Sequence, residues 1–151
     1  MRLTTFSDYG LRVLIYLAVH RDRLATIAEI AGAYGISSNH LMKVVHHLAQ
    51  RGHIETVRGK GGGMRLAREP SQINLGTVIR QSEDNVAFVD CFDTERSDCR
   101  ITSACRLKKV LGEALAAFLG TLDRYTLADL VDNRQRIAKL LPLADARLKR
   151  A

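Results

Sequence analysis

At 151 residues, 46% of them hydrophobic, the chain has apolar material for one core, or for one small domain plus an oligomerisation element, and too little for two full domains. The apolar run from Leu11 to Val19 is short and holds Arg12, so neither a membrane span nor a secretory leader is expected, and the expected compartment is the cytoplasm with no membrane partner. The formal charge of +7 is uneven: residues 1–79 carry ten Lys or Arg against five acids, residues 80–99 two against six, and residues 100–151 eleven against five, which outlines a basic reader, an acidic loop and a basic tail.

The first helix is expected from about Thr5 or Ser7, either of which can cap it, to about His20, with Leu11, Leu14, Ile15 and Ala18 as its apolar face. Thr26 and Glu29 stand at capping-box spacing for a second helix that buries Ile27, Ile30 and Ala31 and ends at Gly35. Ser37 or Ser38 then caps a third helix whose buried face is Leu41, Val44, Val45 and Leu48, ending near Gly52. Helix, glycine turn and helix in this order read as a helix-turn-helix. Ile54 to Val57 alternates like a short strand, and Met64 to Leu66 can pair back on it. Between them, Arg58-Gly59-Lys60-Gly61-Gly62-Gly63 forms a basic tip whose bare backbone can approach phosphates. A nucleotide-binding loop is excluded, since no Lys-Ser or Lys-Thr pair follows the glycines and no helix begins there. After a helix-turn-helix, such a hairpin is a wing.

In a winged helix the third helix enters the major groove, which makes Ser37, Ser38, Asn39, His40 and Lys43 the expected DNA-facing residues. Asn39 suits adenine, Lys43 guanine or phosphate, and the serines phosphate. Arg58, Lys60, Gly61, Gly62 and Arg65 are expected to hold the backbone beside the groove. His40, His46, His47 and His53 lie on or beside this helix and are read as surface or DNA-facing rather than as metal ligands.

Beyond Pro70, Asn74 can cap a short helix through Ile79, and an acidic segment follows that holds all three cysteines as Cys91-x7-Cys99-x5-Cys105. An odd number of thiols, without export signals, argues against a disulfide framework. As ligands to a metal or cluster they are one short of a closed set of four, so a fourth must come from elsewhere, including another subunit. Leu107, Leu111, Leu115, Phe118 and Leu122 then keep helical spacing for about four turns, broadened by Val110, Ala114 and Leu119. Three helices and a hairpin close a winged-helix core by themselves, so this long helix is expected to pair with a second copy. Thr126 caps a further short helix, Leu127 to Val131, and the basic end from Arg134 is expected to fray. The fold class is mainly α with a small β-hairpin: a winged helix-turn-helix over 1–79, a cysteine loop over 80–105, a dimerisation helix and short following helix over 106–132, and a basic tail over 133–151.

Particular runs carry a resemblance: Leu3-Thr4-Thr5-Phe6-Ser7-Asp8-Tyr9, Ser37-Ser38-Asn39-His40-Leu41, Gly59-Lys60-Gly61-Gly62-Gly63, Val89-Asp90-Cys91-Phe92-Asp93, Cys105-Arg106-Leu107, and Leu122 to Leu130 with Asp123, Tyr125 and Thr126-Leu127-Ala128-Asp129. In these, residues 1 to about 132 resemble the NsrR-type family of nitric-oxide-sensing transcriptional repressors, of the superfamily that includes the IscR-type regulators. The resemblance implies an iron-sulfur cluster, [4Fe-4S] in preference to [2Fe-2S], held by Cys91, Cys99 and Cys105 with Asp8 of the partner subunit. Read from the residues alone, Asp8 is a first-turn acid favoured by the helix dipole; only the resemblance makes it a ligand. IscR-type chains carry a histidine three residues after the last cysteine, where Lys108 stands here. The implied function is a homodimeric, non-enzymatic repressor on a palindromic double-stranded DNA operator, released when nitric oxide nitrosylates the cluster. The alternative reading is a redox- or cluster-status-sensing, or zinc- or thiol-controlled, DNA-binding regulator.

Overall fold

A computed structural model describes residues 3–83, 89–92 and 99–141. Helix α1 runs Thr5–Val19 and is capped by Thr4, whose hydroxyl accepts the Ser7 N–H. The expected caps, Thr5 and Ser7, are both inside the helix: Ser7 is fully buried and its hydroxyl bonds Ser82, so a long-range partner decides the choice among neighbouring cap formers. The buried face of α1 is also wider than four residues. Val13, Tyr16 and Leu17 join Leu14 and Ala18, whereas Leu11 and Ile15 are half-buried at its rim. This helix is surrounded on several sides, so a single stripe underestimates it.

Helix α2, Ile27–Tyr34, has the capping box in place and stops at Gly35 in the left-handed region, φ 65°. Helix α3, Ser38–Gln50, buries Leu41, Val44, Val45 and Leu48. Strands β1, Ile54–Val57, and β2, Gly63–Leu66, pair antiparallel in the register Ile54 opposite Leu66 and Val57 opposite Gly63. The hairpin is fixed to the helices by backbone bonds between Ala25 and Met64, 2.9 and 2.7 Å. Its tip is tight: Gly61 has φ 78°, and a Cβ on Gly62 would lie 2.3 Å from the Val57 carbonyl oxygen.

Helix α4 spans Leu75–Ser82, one turn beyond its expected end, with Asn74 accepting the Thr77 N–H as cap. Helix α5, Arg106–Leu122, leaves the core, and helices α6, Leu127–Leu130, and α7, Arg134–Leu140, return to it. Leu127 is fully buried and its N–H donates to the Ile73 carbonyl at 2.8 Å. The core is therefore not closed by three helices and a hairpin alone, because Ile73, Val78, Leu127 and Leu141 belong to it. Nor does the chain loosen at Arg134: its guanidinium donates to the Val19 carbonyl at 2.6 Å and pairs with Asp22 at 2.5 Å, capping the open end of α1. No helix among the described residues is long and apolar enough to cross a membrane.

Candidate nucleic-acid interface and cysteine centre

Burial of Leu41, Val44, Val45 and Leu48 fixes the rotation of α3, so the opposite face points outward. Ser37, Ser38, Asn39, His40 and Lys43 are all exposed there. Ser37 makes no capping bond with its side chain, and the first turn holds no acid. The positive end of α3 is thus free of internal neutralisation, the condition that favours a phosphate. Met42, 51% exposed, stands on the same face. It escapes a reading that looks for polar contacts, although its spacing of four from Ser38 places it on that face.

Arg58, Lys60 and Gly61 are exposed around the hairpin tip, with Gly62 partly covered by the turn it closes through its N–H to the Gly59 carbonyl. Arg65 is exposed but pairs across the hairpin with Glu55, so its charge is partly used within the wing. The four histidines divide. His40 and His46 are exposed, and His47 is half-buried with its ring edge-on to Phe6 at 5.3 Å. His53, expected at the surface, is buried at 3% exposure, with Nε2 donating to the Gln81 side-chain oxygen at 2.7 Å. Its place at the foot of β1, facing α4, is a tertiary fact without a local signal.

Asp8 lies in the first turn of α1, and Arg12 one turn on pairs with its Oδ2 at 2.9 Å. The Arg12 guanidinium stands 5.7 Å from the Tyr34 ring centroid. These residues line an open cleft of about 550 Å³ between α1 and α2 with Leu3, Thr5, Tyr9, Gly35 and Ile36. Burial pushes the Tyr34 phenol up to about 12.

Cys91 and Cys105 are half-buried, Cys99 is exposed, and all three are free thiols. Cys91 sits in a 3-10 turn, Asp90–Phe92, whose Phe92 ring reaches α5 at Gly112. Cys105 is the N-cap of α5, its sulfur accepting the Lys108 N–H at 3.4 Å. Three soft sulfur donors suit iron-sulfur or zinc chemistry, and one of them is joined directly to a helix end. Among the described residues no three His, Cys, Asp or Glu side chains are grouped as metal ligands. Helix α5 buries none of its residues: Leu107 is 63% and Val110 52% exposed, while Leu111, Leu115, Phe118 and Leu122 are half-buried. Its far end is tied to α4 by a two-bond Arg80–Asp123 pair, 2.6 and 2.7 Å, which holds the Asp123 carboxyl below the usual carboxylate range.

A wing beside an outward recognition helix, with a long arm attached, defines a winged-helix DNA-binding transcriptional regulator. The chain belongs to the Rrf2 family, described as iron-dependent transcriptional regulator and matched over residues 3–133. It is 51% identical to the HTH-type transcriptional regulator NsrR of Bacillus subtilis (strain 168) over 96% of this chain and all of that one. It is 49% identical to the regulator of the same name from Shouchella clausii (strain KSM-K16), over 93% of this chain and 95% of that one. Among solved structures, IscR of T. potens is similar at TM-score 0.70 and 26% identity, covering 98% of this chain and 96% of that one. CymR, the global cysteine regulator of B. subtilis, is similar at TM-score 0.68 and 26% identity, over 88% and 98%. These relatives are transcriptional regulators and not enzymes, and this chain is one of them.

Proposed function

We propose that the chain is a cytoplasmic, homodimeric repressor that senses nitric oxide through an iron-sulfur cluster, [4Fe-4S] in preference to [2Fe-2S]. Cys91, Cys99 and Cys105 would hold the cluster, with Asp8 of the partner subunit as fourth ligand. The observation that carries this reading is the set of three free thiols between α4 and the exposed helix α5, in a chain about half identical to regulators named NsrR. The cluster supplies iron that reacts with nitric oxide. A carboxylate is a hard, weakly held ligand beside three thiolates, so Asp8 would mark the position most easily given up. Arg12 already holds that carboxylate within the chain and offers it a partner once released.

On the DNA side, Ser37, Ser38, Asn39, His40, Met42 and Lys43 would meet the major groove of each operator half-site. Arg58, Lys60, Gly61, Gly62 and Arg65 would meet the backbone. Leu107, Leu111, Leu115, Phe118 and Leu122 would pair two copies and set the spacing that a palindrome reads. A coupling of about 1 to 3 kcal/mol between cluster and operator changes affinity roughly five- to 150-fold, enough to switch a promoter.

The test is a nitric oxide titration of anaerobically purified, cluster-bearing protein, with visible spectrum and promoter binding read in the same samples. A brown protein that bleaches to nitrosyl bands as DNA is released is expected. A protein reconstituted with iron and sulfide that stays colourless, binds DNA and ignores nitric oxide would overturn the reading. It would favour thiol control, for which exposed Cys99 and similarity to a Staphylococcus aureus CymR solved in an oxidised form speak.

A further inference from the structure

The first turns of α4 and its last turn are held by different forces. Leu75, Val78 and Ile79 are buried among apolar side chains. The final residues, Gln81, Ser82 and Glu83, are held by hydrogen bonds, each to another part of the DNA reader. Gln81 accepts from His53 at the foot of the wing, 2.7 Å. The Ser82 hydroxyl bonds that of Ser7 in α1, 2.9 Å. The Glu83 carboxylate accepts both the N–H and the hydroxyl of Thr4, 2.9 and 3.0 Å. Thr4 caps α1, and its carbonyl takes the N–H of Asp8 at 3.1 Å.

Two of these partners, Ser7 and His53, are buried at 0% and 3% exposure. A buried hydroxyl or imidazole must find a partner, and its bond tolerates little displacement, unlike an apolar contact that slides. A displacement of the last turn of α4 would therefore strain these bonds and be felt at the foot of the wing and at the start of α1. In sequence, Glu83 stands eight residues before Cys91.

We infer that Gln81, Ser82 and Glu83 are positioning residues that couple the cysteine segment to the DNA reader, Gln81 through His53 to the wing, and Ser82 and Glu83 through Ser7 and Thr4 to the start of α1. This rests on the reading of the cysteine segment as the sensor. They act through the residues they hold.

The test uses Gln81→Met, which keeps side-chain length but removes the acceptor, and Glu83→Ala at the rim, which removes the acceptor of the Thr4 N–H and hydroxyl. Operator affinity is measured for cluster-bearing protein before and after nitric oxide, with amide exchange at residues 4–9 and 53–57. Each variant is expected to cut the nitric-oxide-induced fold-loss in affinity by about threefold or more while the spectral titration stays that of the parent. Equal weakening of both states, leaving the ratio intact, would mean a structural role only and overturn the inference. A second arm keeps it separate from the cluster reading: the three thiols of cluster-free protein are alkylated with iodoacetamide and the same exchange is followed. If no cluster forms, this arm alone decides. A change at both segments in the parent, lost at 53–57 in Gln81→Met and at 4–9 in Glu83→Ala, supports the coupling; no change in the parent from either treatment overturns it.

Discussion

His53 is a polar ring in an apolar place, and its two nitrogens fare differently. Nε2 has Gln81, whereas Nδ1 is buried without a partner. Burial lowers its pKa below 6.5, and the bond to Gln81 opposes this while Arg68 and His47 add to it. The folded chain therefore keeps the ring neutral, and the unfolded chain takes up a proton as pH falls through about 6.5. Stability from this residue is whole above that pH and is lost on acidification until the folded ring also titrates. His20, lowered chiefly by burial while its Nε2 bonds the Leu141 carbonyl, acts in the same direction. The thermal midpoint should fall between about pH 7.5 and 5.5, each ring contributing at most about 1.4 kcal/mol per pH unit. His53→Gln should be less stable at neutral pH by about 1 to 3 kcal/mol yet show a shallower pH slope. An unchanged slope would remove His53 as its source. Met42 makes a second residue-scale case. An exposed thioether on a polar helix face suits the methyl group of thymine. Replacing the contacted thymine by deoxyuridine should weaken the parent about fourfold, the worth of one buried methyl, and leave Met42→Ala indifferent. Equal sensitivity in both proteins would refute the contact.

At the scale of elements, the wing works only if its tip stays narrow. Alanine at Gly62 would place Cβ 2.3 Å from the Val57 carbonyl oxygen and 2.9 Å from that of Gly59, both backbone atoms that cannot step aside. Gly62→Ala should cost about 1 to 3 kcal/mol in chemical denaturation and weaken operator binding, whereas Lys60→Ala should weaken binding and leave stability in place. A Gly62→Ala protein of parental stability would show that the tip opens freely. What could be read from the sequence follows the same division between local and distant causes. The Thr26–Glu29 box, the Gly35 stop, the Asn74 cap and the buried face of α3 are set by residues a few positions apart, and all were legible. The cap of α1 was not, because Thr4, Thr5 and Ser7 are equivalent locally and Ser82 decides among them. Helix α7 was not, because Arg134 gains its place from Val19 and Asp22, 115 and 112 positions away. At the site, the outward face of α3 was legible and His53 was not, since its burial depends on α4.

At the scale of the molecule, the closed core and the long helix α5 are separate parts. The core of α1 to α4, α6 and α7 is satisfied within one chain, and α5 stands outside it, about 25 Å long at 1.5 Å per residue, with no fully buried side chain. A stripe of Leu107, Leu111, Leu115, Phe118 and Leu122 that its own chain covers only in part is unfavourable in water, and under the proposed function a second copy of the same stripe would cover it with two-fold symmetry. That symmetry would also set the distance between two recognition helices, which would make dimerisation and operator choice one property. Leu111→Glu with Leu115→Glu would place two charges in the middle of the proposed seam while leaving the winged-helix core untouched. Sedimentation should show a dimer for the parent and a folded monomer for the double variant. Binding to a single half-site should persist at parental strength, and binding to the full palindrome should drop towards that of one half-site, because the second contact is no longer intramolecular. If the double variant still sediments as a dimer, α5 is not the seam, and the spacing of the recognition helices must be set by another face of the molecule.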